Sequence, residues 1–321
     1  MGSKIVFVTP FPAAADTARE MLPTGFELVV AEAPSPAFSD AMAEAEYLVG
    51  FVDRLVDDEL YRTSPHLKLI QLLSAGYDRA DIAAARKAGI PIANNGGANS
   101  VAVSEHAVML MLAVSRGLVR QHASVVAGNW RGNDAPELYE LRDKTLGIVG
   151  FGAIGKKTAR LAKAFGMRVV YFDVMRLSEA DEDALGVRFR LLRELVREAD
   201  VISLHMPLND ATHHIIGKPE LDEMKPTAII VNTGRGPLID EAALVEALST
   251  GGIAGAGLDV FDPEPPEADN PLFALSNVIL TPHVAGPTLD SNAARVRNAF
   301  DNVQRVARGA SPLWIIPELS A

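Results

Sequence analysis

The sequence predicts an α/β protein built from two open, parallel β-sheets. Short runs rich in β-branched and aromatic residues alternate with Ala-rich polar stretches over the first hundred residues, and the alternation resumes after residue 145. A long apolar helical stretch separates the two regions. Strands that alternate with helices in this way favour parallel sheets covered by helices. At roughly 100–200 residues per domain, a chain of 321 residues has room for two domains.

The boundaries of the elements predict where the domains divide. The strands expected in the first sheet are residues 4–9, 27–30, 47–51, 69–73 and 90–93. A long helix is predicted over residues 101–115, with Asn99 or Ser100 as its N-cap. The strands expected in the second sheet are residues 145–149, 168–172, 201–205, 228–232 and 256–260, and a last helix is expected over residues 289–307. We therefore expect one domain from residues 1–99 and 287–321, and a second from residues 100–286.

The composition argues against several classes of function. The chain has 30 Lys plus Arg and 41 Asp plus Glu, and its net charge of −11 opposes binding to nucleic acid or to an anionic membrane. Zero cysteines exclude disulfides and cysteine-ligated metal centres, and they are compatible with a reducing cytoplasm. The apolar stretch 107–114 is far shorter than the ~20 residues of a membrane span. We expect a cytoplasmic protein without nucleic-acid or membrane partners.

A glycine-rich motif follows the first strand of the second sheet. Gly150, Gly152 and Gly155 have the G-x-G-x-x-G spacing between a predicted strand and a predicted helix. The first glycine permits a tight turn, the second lets backbone approach a pyrophosphate, and the third allows close helix–strand packing. Free N–H groups at the helix N-terminus, near Ala153 and Ile154, favour the anion. The motif predicts a Rossmann dinucleotide-binding domain.

An acidic residue after the next strand indicates which dinucleotide is bound. Asp173 lies 18 residues after Gly155, near the ~20 expected for a carboxylate that accepts the ribose hydroxyls. A carboxylate there disfavours a 2′-phosphate, so NAD is preferred. Arg176, three residues further on, keeps NADP open, because an arginine at that place can accept the phosphate.

Three later loops each carry one ionisable residue just beyond a strand-like run. Arg235 lies in residues 232–236, Glu264 in 259–265 and His283 in 281–286. Carboxyl ends of parallel strands border the ligand crevice, so the three loops can converge on a nicotinamide. Hydride transfer to a 2-keto acid needs a proton donor, a fixed cation and a group that tunes the donor. His, Arg and Glu meet these needs.

With these loops, the chain resembles the D-isomer-specific 2-hydroxyacid dehydrogenase family over nearly its whole length. Residues 73–78, Leu-Ser-Ala-Gly-Tyr-Asp, are similar to the family's substrate-carboxylate loop, residues 99–106 to its interdomain helix, and residues 205–208 to its cofactor-side loop. The resemblance implies a Rossmann cofactor domain inserted into a flavodoxin-like substrate domain. It also implies NAD-dependent hydride transfer to or from a small D-2-hydroxy acid or 2-keto acid, and a homodimer with an arm within residues 117–142.

The resemblance also implies roles for individual residues. His283 is implied as acid and base, Glu264 as its charge partner, and Arg235 as the substrate clamp. The cofactor residues expected from the motif are Gly150, Gly152, Ala153, Gly155 and Asp173, and those implied by the resemblance are Val103, Ile154, His205, Pro207, Thr233, Gly234, Asp259 and Gly286. Substrate binding is implied for Ser74, Ala75 and Gly76, with Arg235. No metal is expected.

Several alternatives stay open at this stage. The candidate substrates are glyoxylate, hydroxypyruvate, pyruvate, phosphoglycerate and bulkier acids, and phosphite oxidation on this fold is a further alternative. A dinucleotide-sensing binding protein, like the family's corepressors, is an alternative of another class. His213 and His214 fit solvated loop residues better than metal ligands, and His106 fits a hydrogen-bonded core residue. Trp130 and Arg131 suit surface packing as well as a pocket or subunit role.

Overall fold

The computed structural model describes residues 2–130 and 137–320. The chain divides into two compact units. Unit 1 is formed by Met1–Asn99 and Pro287–Ala321, and unit 2 by Ser100–Gly286. Strands β1–β12 and helices α1–α12 are numbered in chain order below. Unit 2 is thus continuous in sequence and interrupts unit 1.

Unit 1 is built on a five-stranded parallel sheet. Its strands are β1 (Ser3–Val8), β2 (Phe26–Val30), β3 (Tyr47–Gly50), β4 (Leu69–Leu72) and β5 (Ile92–Ala93). The strand order is β2-β1-β3-β4-β5, the flavodoxin-like order. Its helices are α1 (Pro12–Glu20), α2 (Pro36–Met42), α3 (Asp58–Thr63), α4 (Ile82–Ala88) and α12 (Leu289–Ala307).

Both faces of the unit 1 sheet are buried. Helices α1 and α12 pack on one face, where Ala18, Val296 and Phe300 join the side chains of the central strands. Helices α2, α3 and α4 contribute to the core on the other face. Because both faces are covered, the strands are nearly continuous apolar runs, as expected for parallel sheets.

Unit 2 is built on a seven-stranded parallel sheet. Its strands are β6 (Thr145–Val149), β7 (Arg168–Phe172), β8 (Arg188–Phe189), β9 (Val201–Leu204), β10 (Ile229–Asn232), β11 (Gly255–Leu258) and β12 (Val278–Leu280). The order β12-β11-β10-β9-β6-β7-β8 is the doubly wound dinucleotide-binding order with one further strand at the β12 edge. Its helices are α5 (Ser100–Ser115), α6 (Leu118–Val126), α7 (Ala153–Ala164), α8 (Glu179–Leu185), α9 (Leu192–Glu198), α10 (Lys218–Asp222) and α11 (Glu241–Thr250).

Helix α5 is a core helix of unit 2. It packs with α7 on one face of the sheet, through Leu110 and Met111. A Cβ on Gly257 of β11 would lie 2.9 Å from the Cβ of Leu110, so glycine in the strand lets the helix approach closely. In the part of the chain that the structure describes, no single helix is long and apolar enough to cross a membrane; α5 and α6 reach that length only as a pair bent by 59°.

The predicted fold of two parallel-sheet α/β domains is confirmed. Several predicted strand bounds differ from the structure by one or two residues, and the differences at β5 and β11 have a clear physical reason. Strand β5 begins at Ile92 instead of residue 90, because Pro91 has no N–H to donate to the ladder. Strand β11 ends at Leu258, before residue 260, since Val260 is buried in a loop and prolongs the apolar pattern beyond the strand. The predicted set of strands lacks β8 and β12, which have two and three residues and are too short to show a periodicity.

Candidate active site

The glycine-rich loop connects β6 to α7, and packing requires two of its glycines. Gly150 has φ +97°, and a Cβ there would lie 2.7 Å from the carbonyl carbon of His205. A Cβ on Gly155 would lie 2.3 Å from the carbonyl oxygen of Gly150. The tight turn and the close helix approach predicted for these positions are therefore present.

Gly152 differs from its two neighbours, because the protein's own packing does not require it. Its φ is −76°, which any residue adopts, and none of the described residues lies within 4 Å of the Cβ that another residue would add. Helix α7 begins at the next residue, Ala153, without a side-chain cap and without an acidic residue in its first turn. A Cβ would occupy open space in front of free N–H groups, which fits a pyrophosphate seated against the backbone.

Asp173 follows β7 and is bonded to the glycine-rich loop. Its carboxylate accepts hydrogen bonds from the N–H of Phe151, at 2.6 Å, and from the N–H of Met175, at 3.0 Å. A carboxylate has about four acceptor directions, so it retains capacity for ribose hydroxyls. Arg176 is held against the protein: its Nε donates to Glu182 at 3.1 Å, and its guanidinium lies 5.3 Å from the ring centroid of Phe189.

His283 and Glu264 form a hydrogen-bonded pair. Nδ1 of His283 lies 3.0 Å from Oε2 of Glu264, and the His283 side chain is 47% exposed. The other carboxylate oxygen of Glu264 accepts from the N–H of Phe261, at 3.1 Å. Burial alone raises the pKa of Glu264, but hydrogen bonding and charge from His283, the Phe261 amide and the charge of Arg235 outweigh it, so the pKa lies below its ordinary value. Glu264 is therefore ionised beside the imidazole at neutral pH.

The loop that carries His283 has an unusual backbone conformation. His283 has φ +53°, a left-handed conformation that costs a non-glycine residue of order 1–3 kcal/mol. Asp259, which is 1% exposed, holds this loop: its carboxylate accepts from the hydroxyl of Thr281 at 2.5 Å and from the N–H groups of Val284 and Ala285, each at 2.9 Å. The carbonyl oxygen of Asp259 also accepts from the N–H of His283, at 2.8 Å. Asp259 thus orients the loop on both sides of His283.

His106 on α5 extends this network. Its Nε2 lies 3.0 Å from the hydroxyl oxygen of Thr281 and 3.5 Å from Oδ1 of Asp259. Burial lowers the pKa of His106, and the charge of Asp259 only partly opposes the shift. His106 is hydrogen-bonded inside unit 2, in agreement with its interpretation as a core residue.

The loop after β10 carries Arg235 next to the loop of Glu264. The Nη1 of Arg235 donates to the carbonyl oxygen of Gly234 at 2.9 Å. A Cβ on Gly236 would lie 1.9 Å from the carbonyl oxygen of Phe261, so glycine permits the two loops to touch. The structure therefore brings Arg235, Glu264 and His283 into one neighbourhood, as their loops predict.

His205 is hydrogen-bonded and neutral. Its two ring nitrogens lie 3.0 Å from the hydroxyl oxygen of Ser203 and 3.4 Å from that of Thr233. Burial lowers the pKa of His205 to about 3. Of His106, His205 and His283, His283 alone combines an exposed ring with a carboxylate partner.

The remaining candidates of unit 2 are spread over several elements. Val103 is buried on α5, Gly286 is buried at the end of the unit, and Pro207 is exposed. Sequence reasoning missed the linking role of Thr281, because its partners His106 and Asp259 lie on elements distant from it in the chain.

In unit 1, the predicted substrate-carboxylate loop leaves backbone donors free. The hydroxyl of Ser74 donates to the carbonyl oxygen of Gly76 at 2.8 Å, and the carbonyl oxygen of Ser74 accepts from the N–H of Asn95 at 3.0 Å. Within the described residues, the N–H groups of Ala75 and Gly76 donate to no protein acceptor. Two free N–H groups on a turn suit a carboxylate.

Other candidates lie apart from this chemistry. The rings of His213 and His214 stack at 4.0 Å and are exposed. Among the residues described, no three His, Asp or Glu side chains are grouped so as to hold a metal ion. Trp130 is 76% exposed, and Arg131 lies outside the described residues.

Comparisons with known proteins agree with the fold and the motifs. Residues 108–285 match the family model of the D-isomer specific 2-hydroxyacid dehydrogenase, NAD binding domain. The chain is 41% identical to a glyoxylate reductase from Thermococcus litoralis over 285 residues, which are 87% of this chain and 86% of the relative.

Two solved structures show the same fold over the whole chain. A glyoxylate reductase from Paecilomyes thermophila has a TM-score of 0.86 and 31% identity, with 100% of both chains covered. A D-lactate dehydrogenase with NAD+ from Lactobacillus jensenii has a TM-score of 0.81 and 29% identity, with 98% of this chain and 99% of that chain covered. The chain therefore belongs to the D-isomer specific 2-hydroxyacid dehydrogenase family.

Proposed function

We propose that this protein reduces small 2-keto acids to D-2-hydroxy acids with NADH, and that His283 supplies the proton. The family performs hydride transfer between a nicotinamide coenzyme and a small 2-keto or 2-hydroxy acid. The observation that carries the proton assignment is the pair of His283 with ionised Glu264, on a loop held by Asp259. An exposed imidazole beside a carboxylate is suited to general acid–base work near neutral pH.

In the proposed reaction the residues of unit 2 have separate tasks. When bound, the coenzyme supplies the hydride to the keto carbon. His283 gives a proton to the carbonyl oxygen, so that an alcohol forms, and Arg235 binds that oxygen and the substrate carboxylate through its planar guanidinium. In the reverse direction His283 takes the proton back. Glu264 holds the ring orientation and stabilises the imidazolium.

We assign the substrate carboxylate to the loop of Ser74, Ala75 and Gly76. The free N–H groups of Ala75 and Gly76 support the assignment, because they donate to no protein acceptor among the described residues. Glyoxylate carries only the carboxylate and the carbonyl that these groups recognise. It is therefore the minimal substrate with which to test the activity.

The remaining cofactor residues keep the roles expected from the sequence. Gly150, Gly152 and Gly155, with Ala153 and Ile154, hold the pyrophosphate. Asp173 accepts the ribose hydroxyls, and the other proposed contacts come from Val103, His205, Pro207, Thr233, Gly234, Asp259 and Gly286. Support comes from the open space at Gly152 and from the hydrogen bond between Asp173 and the glycine-rich loop.

The activity is tested by NADH oxidation with glyoxylate, hydroxypyruvate and pyruvate. His283→Asn is the variant of choice, because asparagine tolerates the left-handed φ of +53° at this position. We expect at least about a 100-fold loss of kcat, in line with general acid–base catalysis, while NADH still binds. Near-normal turnover in His283→Asn would contradict the assignment of His283 as the proton donor. Arg235→Lys, which retains charge but loses the fork of donors, should weaken substrate use more than NADH binding.

We further propose a homodimer formed through α5 and α6. The support is the apolar surface of α6, which has no buried residue and exposes Leu118, Val119, Val125 and Val126. Contiguous exposed apolar side chains mark association surfaces. Sedimentation should give a dimer for the wild type, a monomer for Leu118→Asp, and an unchanged dimer for Leu191→Asp, which alters an equally exposed leucine elsewhere in unit 2. A wild-type monomer at micromolar concentration would contradict the proposal.

A cytoplasmic location is proposed as well. It is supported by the coenzyme-dependent chemistry and by a composition compatible with a reducing compartment. Cell fractionation with antibody detection tests it, and recovery in an exported or membrane fraction would contradict it.

A further inference from the structure

Arg295, on helix α12 of unit 1, is a buried cation with two guanidinium nitrogens that have no hydrogen-bond partner among the described residues. The residue is 3% exposed, and its Nε and Nη1 meet no acceptor in the described part of the chain. Burial lowers its pKa to about 10, and no carboxylate contributes to the shift. The guanidinium therefore remains charged at neutral pH while it lacks a counter-charge.

The same helix shows how a buried polar side chain is normally satisfied. Asn302, further along α12, donates to the side chain of Gln71 at 2.7 Å and to the carbonyl oxygen of Leu313 at 2.8 Å, and it accepts from the N–H of Leu313 at 2.7 Å. Asn292, which lies one turn before Arg295, is 6% exposed, and its Oδ1 has no hydrogen-bond partner in the described part of the chain. On the buried face of α12, the polar side-chain atoms are thus hydrogen-bonded at Asn302, whereas some of those around Arg295 are not bonded to any described residue.

One contact partly compensates the charge of Arg295. The guanidinium lies 5.4 Å from the ring centroid of Phe51, which is a cation–π distance. Such a contact is weak compared with the cost of removing an ion from water. An anion is the group that would balance the charge.

The position of Arg295 indicates which anion reaches it. Phe51 directly follows β3, and the N–H of Leu73 donates to the carbonyl oxygen of Gly50 at 2.8 Å, so the ends of β3 and β4 are neighbours. The loop of Ser74, Ala75 and Gly76 begins at that same edge. Ligands bind at the carboxyl edge of parallel sheets.

Helix α12 is also linked to this loop by hydrogen bonds through Asn95. One turn after Arg295, the side chain of Asn298 donates to the carbonyl oxygen of Asn95 at 2.9 Å. The N–H of Asn95 in turn donates to the carbonyl oxygen of Ser74 at 3.0 Å. The guanidinium and the proposed carboxylate loop therefore border one edge of the unit 1 sheet.

We propose that Arg295 binds an anionic group on the substituent of the keto carbon, either a carboxylate or a phosphate ester. The proposal rests on the proposed 2-keto acid reduction and extends it to substrates with a second negative group. A planar guanidinium donates two parallel hydrogen bonds to either anion. A neutral substituent would leave the buried charge unpaired, so the site discriminates against it.

Matched substrate pairs test this inference. 2-Oxoglutarate is compared with 2-oxovalerate, which has a methyl group in place of the terminal carboxylate, and phosphohydroxypyruvate is compared with hydroxypyruvate. We expect the wild type to prefer the anionic member of at least one pair in kcat/KM. The pair that shows the preference distinguishes a carboxylate from a phosphate ester.

Arg295→Met is the decisive variant, because it keeps an unbranched side chain and removes an unpaired buried charge, which is not expected to destabilise the fold. The preference ratio should fall by about 10- to 100-fold, the effect of losing a hydrogen bond to a charged group. Arg297→Leu is the matched control. It removes the same charge from an exposed position two residues further along α12, and it should leave the ratio unchanged.

Each outcome decides between the inference and its alternatives. Equal use of both members by the wild type, or equal losses for both in Arg295→Met, would overturn the inference. If no 2-keto acid is reduced, the proposed activity fails. Calorimetry with succinate and inorganic phosphate then decides the inference: binding by the wild type that Arg295→Met abolishes supports an anion site, and no binding overturns it.

Discussion

Nδ1 of His283 lies 3.0 Å from Oε2 of Glu264, and the same carboxylate accepts a backbone hydrogen bond from Phe261. The charge of His283 helps to keep the pKa of Glu264 low, so the carboxylate is ionised when the enzyme works near neutral pH. An ionised partner stabilises the imidazolium over the neutral ring. If His283 is the proton donor, as we propose, the pair couples the pH dependence of catalysis to Glu264.

The first prediction concerns this coupling. Reduction requires protonated His283, so reductase activity falls as pH rises. In Glu264→Gln the imidazolium loses its counter-charge, so that fall should move to lower pH. The rise of the reverse oxidation should move in the same direction. Profiles of kcat/KM against pH in both directions measure the shift.

Glu267→Gln provides the control for this measurement, because Glu267 lies in the same loop and is exposed. Its profile should match that of the wild type. An unshifted pH profile in Glu264→Gln would show that Glu264 does not influence the proton transfer.

A second prediction concerns Thr281, whose hydroxyl donates to Asp259 at 2.5 Å and lies 3.0 Å from Nε2 of His106. Thr281→Val removes the hydroxyl at nearly constant volume and loosens the loop of His283. We expect kcat to fall by about 10- to 100-fold, since small displacements of a catalytic group have effects of that size. The dissociation constant of NADH, from fluorescence titration, should change little.

Thr281→Ser keeps the hydroxyl and should retain most of the activity. If Thr281→Ser and Thr281→Val lose activity equally, the methyl group matters and the hydrogen bonds do not.

The third prediction is that NADH binds more tightly than NADPH. Asp173 accepts from the N–H groups of Phe151 and Met175, so its carboxylate is fixed where a 2′-phosphate would be repelled. Asp173→Ala should narrow the preference ratio, measured by titration of both coenzymes. Arg176→Ala should alter the ratio less, because Arg176 is already paired with Glu182. If the ratio is unchanged in Asp173→Ala, Arg176 and not Asp173 would be the residue that discriminates between NADH and NADPH.

The fourth prediction concerns stability and pH. Asp200 accepts from the N–H of Thr145 and from Nζ of Lys225, each at 2.8 Å. Burial opposes ionisation of Asp200, but these hydrogen bonds outweigh it and lower the pKa of the carboxyl. A lowered folded-state pKa contributes stability above the unfolded value of ~3.9, and the contribution is lost as pH falls through the folded value.

Asp200→Asn should therefore lower the free energy of unfolding by about 1–3 kcal/mol at pH 7, and the difference should shrink in acid. Urea denaturation at several pH values measures it. Asp222→Asn changes an exposed acid paired with Lys218 and should have a smaller effect at every pH. A difference that persists unchanged below pH 3 would contradict the role assigned to the charge of Asp200.

The sequence alone predicted the parallel-sheet fold, which is confirmed, and indicated candidate residues for the chemistry. Strand and helix patterns are local properties, so predicted elements such as β6, β7 and α12 agree with the structure residue for residue. The motif Gly150 to Gly155 and the loop of His283 are also contiguous in sequence. For this reason their residue types and spacing are enough to indicate a function.

The way in which distant residues act on one another depends on the tertiary structure. The link from His106 through Thr281 to Asp259 joins α5 to the loops after β12 and β11, and no sequence spacing reveals it. The environment of Arg295 likewise depends on residues that are distant in the chain. The position of Arg295 on a helix does not tell whether a carboxylate lies opposite it, because the partners of a buried charge come from elements far apart in the chain. The absence of such partners among the described residues is seen only when the helix is packed on its sheet.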